Sequence, residues 1–244
     1  MQISEGCDNG PRLSDSIAQW SQWQLLDSLL PTGGFANSFG LEASVQSNLV
    51  SNPDELKTFI IYVLENTGGL LLPFVHLASV SPKLETWLNL DKILDATLTN
   101  EVSRKASISQ GSALMRVGSA VFSELPSLKT MRNASLGSGT ASLGSGTVSF
   151  HHAPIFRLIC GTLGLDSTDS QRAYMYITMR GVISAAARLN MISHHVLHHQ
   201  LAPYAEGILE KWKNRDVDDA CQVAPLLDTV QGCHGYLFYR LFSS

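Results

Sequence analysis

The sequence predicts an all-α fold, a single-domain multi-helix bundle, and three observations predict it. Apolar residues recur at helical spacing through most of the chain, residues that start and stop helices punctuate those runs, and no segment shows a convincing period-2 strand pattern. Residues 1–13 are polar and carry Gly and Pro, and they read as a flexible tail ahead of a helical domain over 14–244. From Ser14 to about Leu30, Trp20, Trp23, Leu26 and Leu30 recur near one turn apart, which predicts a first helix. Pro31-Thr32-Gly33-Gly34 then stops it, because Pro cannot continue a helix and paired Gly opens the backbone.

A second helix opens at Ser51-Asn52-Pro53-Asp54-Glu55. Asn52 can cap it, Pro53 suits the first turn, and the two acids favour the positive end of the helix dipole. Leu56, Phe59, Ile60, Val63 and Leu64 fall at i, i+3, i+4, i+7 and i+8, one buried stripe. Helical patterns continue over roughly 70–80, 84–98, 101–120, 153–164, 169–191 and 194–213. The segment 169–191 is apolar on most sides, with Tyr174, Ile177, Gly181 and Ala185 on one face and Met175, Met179, Val182, Ala186 and Leu189 on another; such a helix belongs in the middle of a bundle. Its small residues let neighbours approach closely. Between these halves Ala-Ser-Leu-Gly-Ser-Gly-Thr occurs twice, at 134–140 and 141–147, and predicts a Gly/Ser-rich loop at about 132–150 rather than a structural repeat.

Composition narrows the function classes. The 244 residues are 44% hydrophobic and 16% charged, which describes a globular chain with an ordinary core. Lys and Arg number 17 against 21 Asp and Glu, a net charge of −4 with no long basic run, so neither nucleic acid nor an anionic membrane is the expected partner. No run of 18 apolar residues occurs, and Met1-Gln2-Ile3-Ser4-Glu5 lacks the layout of a signal peptide; the expected location is cytoplasmic. Cys7, Cys160, Cys221 and Cys233 stand far apart without a CxxC, which implies neither a disulfide framework nor a zinc finger.

The chain carries no Walker A pattern, no HExxH, no GxSxG and no GxGxxG after a strand. Its sharpest chemical feature is His194, His195, His198 and His199, whose 194/198 and 195/199 pairs have the i, i+4 spacing that can chelate a divalent ion. No carboxylate or Cys completes the set locally, so a solvated His-rich helix start is the favoured reading. A helical metal-binding hydrolase, using a metal-bound water as nucleophile, is the alternative. His151-His152 precedes Pro154 and reads as a loop end and helix start; Cys233-His234 is a two-ligand pair and weak alone. On the central helix Arg180, Ser184 and Arg188 share one i, i+4, i+8 row, where guanidinium groups need carboxylates, carbonyls or a polar channel. At the C-terminus, Tyr236, Phe238, Tyr239, Arg240, Leu241 and Phe242 either close the core or dock on a partner, since aromatic and Arg residues are enriched at interface hot spots.

The run from Trp23 to Glu42, WQLLDSLLPTGGFANSFGLE, resembles the N-terminal signature of the urease accessory protein F family, L-x-D-S-x-L-P-x-G-G-F-x-x-S-x-G-L-E. The resemblance continues at Asn100–Gly111, His151–Phe156, Met179–Asn190, Gln222–Asp228 and Arg240–Ser244, in the family's order, and the C-terminal details are similar to plant members. Two departures stand out: Gly181 follows Arg180 where members often carry Asp, and Ile192-Ser193-His194-His195 replaces a usual Gly-Pro. The resemblance implies a non-enzymatic, dimeric, all-α maturation factor that binds accessory protein D (also called H) and recruits the GTPase accessory protein G. That assembly delivers nickel to apo-urease, with nickel as cargo and no cofactor held tightly, and the family member regulates GTP hydrolysis or gates nickel transfer. With that implication, Asp27, Ser28, Gly33, Gly34, Phe35, Ser38 and Glu42 read as a docking elbow, with Arg104 and Gln110 as weaker neighbours. Arg180 and Arg188 read as interface cations, and the tail from Tyr236 to Phe242 as the contact with protein D.

Overall fold

A computed structural model describes residues 15–80, 84–122, 128, 129, 132, 133, 148–191 and 194–244; the N-terminal tail and the duplicated heptapeptide expected above lie outside the described residues. Ten helices are described: α1 Asp15–Leu26, α2 Leu41–Gln46, α3 Pro53–Leu70, α4 Leu72–Val80, α5 Leu84–Thr97, α6 Glu101–Val121, α7 His152–Thr162, α8 Ser167–Arg188, α9 His194–Trp212 and α10 Pro225–Cys233. No strand occurs among the described residues, so the chain is all-α.

Helix starts follow the local chemistry. Asn52 caps α3, its side-chain oxygen accepting from the amides of Asp54 and Glu55 at 3.1 and 3.0 Å with Pro53 in the first turn. Asn100 caps α6 in the same way, and the Asp166 carboxylate caps α8 by accepting from Asp169 at 2.7 Å. The stripe read for α3, Leu56 to Leu64, is buried throughout.

α8 runs through the middle of the bundle and packs on α3, α4, α7 and α9, while α7 bridges it to α6 and α5. Met175, Met179, Val182, Ala185 and Ala186 are all buried, as a centrally placed helix requires. Close approaches depend on small residues. A Cβ on Gly111 of α6 would lie 1.9 Å from the Phe150 carbonyl oxygen, and one on Gly181 would lie 2.9 Å from the Phe39 ring.

Two features depart from the sequence reading. First, α1 ends at Leu26, not near Leu30, because Arg180 donates to the Leu26 carbonyl and the Asp27 carboxylate takes the Leu29 amide at 2.9 Å; both groups leave the helical ladder. In α1 Ser21 and Leu25 are buried, whereas Trp20 and Trp23 stand 70% and 55% exposed, packed edge to face on each other. Second, α2 and α10 are helices that periodicity alone did not reveal, being 6 and 9 residues long.

Candidate functional site

The segment after α1 makes an elbow whose bends are local. Gly33 sits at φ +77° and begins a 3-10 turn over Gly34–Ala36. Asn37 then accepts the Phe39 amide at 2.8 Å, which allows Phe39 a left-handed φ of 55°, and Gly40 follows at +83°. These bends aim the Phe39 ring at Gly181 and turn the chain into α2, placing Glu42 at its start.

The C-terminal segment comes back to this elbow. The Ser243 amide donates to the Ala36 carbonyl at 2.9 Å, and the Ser38 amide and hydroxyl donate to the Ser244 carbonyl at 2.6 and 3.0 Å. Gln46 on α2 donates to the Tyr239 carbonyl at 3.0 Å. Glu42 carries the junction. One carboxylate oxygen accepts the Leu241 amide at 2.6 Å, and the other accepts the Phe242 amide at 3.2 Å and His234 Nε2 at 3.1 Å. Phe242 turns inward at 4% exposure, whereas Tyr236, Phe238, Tyr239 and Leu241 stand 91%, 89%, 77% and 59% exposed. Arg240 is exposed as well.

Arg188, at the last turn of α8, joins the two segments. Its guanidinium lies 3.7 Å from the Phe35 ring centre and 4.1 Å from that of Phe242. It makes no ion pair among the described residues, one of its terminal nitrogens is buried without a hydrogen bond, and burial lowers its pKa. Arg180 is likewise without a carboxylate among the described residues; it meets the Leu26 carbonyl and the Tyr176 ring. Carbonyls and aromatic faces, not ion pairs, are therefore what these two guanidiniums find.

Behind this surface lies a cavity of about 690 Å³ bounded by the elbow, α3, α6, α8 and α10. Ser28, Gly33, Gly34, Phe35, Arg180, Ser184, Arg188, His198 and Gln110 line it. So does His152, whose Nδ1 meets the Tyr174 hydroxyl at 3.2 Å and whose pKa is lowered to about 4 by burial, making it neutral near pH 7. Its placement rests on Asp91, a buried carboxylate on α5 that accepts the amides of Ser149, Phe150 and His151 at 2.8, 3.2 and 2.6 Å. Sequence reasoning missed Asp91, since nothing near it in the chain signals a partner 58 residues away.

The elbow residues thus divide by position. Asp27, Ser28 and Phe35 are on the surface, but Ser38 and Glu42 are 0% and 2% exposed and bonded to the chain's own tail. The Ser38 and Glu42 polar groups, read from the sequence as part of a docking face, are bonded to the chain's own tail. Phe242, expected with the exposed tail, is likewise a buried anchor. His194 and His195 begin α9 with side chains outside the described residues, His198 is half-buried with its ring 5.8 Å from Tyr176, and His199 is exposed. No group of three or more His, Cys, Asp and Glu is placed to hold a metal ion among the described residues. Cys233 is exposed while its neighbour His234 is buried against Glu42, so the two do not present donors together.

The UreF family profile matches residues 50–204 of this chain. Over 234 residues the chain is 60% identical to urease accessory protein F of Arabidopsis thaliana, covering 95% of each chain. It is 61% identical over 226 residues to urease accessory protein F of Oryza sativa subsp. indica, covering 91% of this chain and 84% of that one. A bacterial relative, urease accessory protein UreF of Trichodesmium erythraeum, is 26% identical over 238 residues, 95% of this chain and 99% of its own.

Proposed function

We propose, because this chain belongs to the urease accessory protein F family, that it is a non-enzymatic scaffold of urease maturation acting as a homodimer in the cytoplasm. It binds accessory protein D through the surface made by the elbow and the C-terminal tail. The pair recruits the GTPase accessory protein G, and the complex hands nickel, its cargo, to apo-urease. The relatives are accessory proteins by name rather than enzymes, which supports a scaffold over a hydrolase.

One observation carries the choice of surface. The two segments singled out by the resemblance, Asp27–Glu42 and Tyr236–Phe242, meet in space around Arg188 although some 200 residues separate them, as the 206-residue span of the Ser38–Ser244 bond illustrates. The meeting leaves Phe35 exposed beside Arg188, and Tyr236, Phe238, Tyr239, Arg240 and Leu241 exposed along the tail. Exposed aromatic residues with Arg and a ring-stacked guanidinium match the make-up of an interface hot spot.

The test is co-purification with accessory protein D from the same source, with mass by light scattering. The expected outcome is a stable complex of about two copies of each chain, lost when the chain is truncated after Gly235. Two proteins that stay separate at micromolar concentration, or a truncated chain that binds as well as the parent, overturn the assignment of the surface.

A further inference from the structure

We infer that Glu42 is a positioning residue for partner recognition: with His234 it forms a buried carboxylate–imidazole clamp that sets the register of the tail and so presents the exposed side chains between Tyr236 and Leu241. The inference rests on the reading of that tail as the partner surface.

The geometry makes the clamp specific. Glu42 lies in the first turn of a helix of 6 residues, is 2% exposed, and spends both oxygens on groups from beyond residue 233: His234 Nε2, the Leu241 amide and the Phe242 amide. A carboxylate accepts only, so His234 presents Nε2–H to it, and the tail amides are held by a charge-assisted acceptor rather than by a carbonyl. Beyond residue 236 the tail buries Phe242 against Arg188, and among the described residues its other bonds to distant segments are those to Ala36, Ser38 and Gln46.

Register follows from this. Leu241 is exposed, Phe242 buried, Ser243 exposed and Ser244 buried, through a bend at 241–242 that leads into the bonds with Ala36 and Ser38. A slip by one residue would take the Phe242 ring off Arg188 and out of its buried seat. The Glu42 carboxylate holds the Leu241 and Phe242 amides while the Phe242 ring seats against Arg188, and the two contacts together select this register. His234 closes the other end of the loop, so the exposed stretch between it and Leu241 is pinned at both ends.

The experiment compares the full chain with E42Q, E42A and a deletion of residues 236–244, in binding to accessory protein D and in hydrogen exchange by mass spectrometry. Gln keeps the size but offers one acceptor oxygen and an amide that opposes the donors. The expected result for E42Q is faster exchange confined to 237–244, with α3 and α8 protected as in the parent, and affinity lower by about tenfold or more; E42A shows the larger loss. An E42Q chain that keeps both tail protection and affinity overturns the clamp. So does exchange that rises throughout α3 and α8, since Glu42 would then hold the fold rather than the tail. If the deletion itself binds like the parent, the partner surface lies elsewhere, and that failure belongs to the reading of the tail and not to the clamp.

Discussion

Replacing Asp91 with alanine tests how far one buried carboxylate organises the cavity wall. Asp91 is 1% exposed and accepts three consecutive amides, those of Ser149, Phe150 and His151, just before α7 begins. Phe150 is held there at a left-handed φ of 62°, a conformation a bulky residue rarely adopts unaided. Each charge-assisted bond of this kind contributes about 1.5–3 kcal/mol net, and bonds sharing one acceptor are not additive. The His151 amide is buried, while Ser149 and Phe150 are only half-buried and regain some water in the variant. A loss of about 4 kcal/mol follows, which for a chain of this size lowers the thermal midpoint by roughly 8–16 °C. Asp91→Asn retains one accepting oxygen and should lose about half as much. Calorimetry gives the midpoint, and amide exchange at 149–151 reports the local change. A midpoint for Asp91→Ala within about 2 °C of the parent would refute the reasoning, because it would mean these amides find equal partners without the carboxylate.

Two further outcomes are expected. Gly111→Ala places a methyl 1.9 Å from the Phe150 carbonyl oxygen and against the backbone of His151 and His152, so α6 and α7 must separate; a loss of at least about 3 kcal/mol should appear in denaturant unfolding, and a parental midpoint would show that the contact relaxes freely. Burial lowers the His152 pKa from 6.5 to about 4, so the unfolded chain binds the extra proton first as pH falls, and stability contributed by the neutral ring is full above about pH 6.5 and declines toward pH 4. The share lost by pH 5 is about 2 kcal/mol. His152→Gln, which can still meet the Tyr174 hydroxyl, should flatten the stability profile between pH 7 and pH 5; an unchanged slope would place that acid sensitivity elsewhere.

Much of the helical architecture was legible because its causes are local. Asn52, Asn100 and Pro53 act on their own first turns, and the Leu56–Leu64 stripe depends only on helical period. The central place of α8 followed from its apolar faces for the same reason. Legibility ended where a group's partner came from a distant segment. Trp20 and Trp23 have the spacing of a buried face, but α1 docks on Ser21 and Leu25, a choice made by the surface it meets and not by its own pattern. Arg180 and Arg188 were read as needing partners, which was sound chemistry, yet a carbonyl and two aromatic rings supply them.

Within the candidate site the residues were found and their division was not. Sequence marked the elbow and the tail as unusual, since hydroxyls, Gly and an acid are more than a turn requires. It could not show that Ser38, Glu42 and Phe242 point inward while Phe35, Tyr236 and Phe238 point out. His151-His152 was read as a helix start, which it is, but the carboxylate that makes that start is Asp91 on another helix.

By itself, then, the sequence determined which segments are helical, where most of them begin, and that the chain shares the UreF signature, because propensity, capping and motif identity are written within a few residues of one another. Only the tertiary structure decided that residues 36–42 and 234–244 form one surface, which polar groups are consumed in building it, and which face of α1 is left to solvent. Those outcomes depend on hydrogen bonds and packing across some 200 residues of chain, where the stability of a contact is set by how the whole bundle closes.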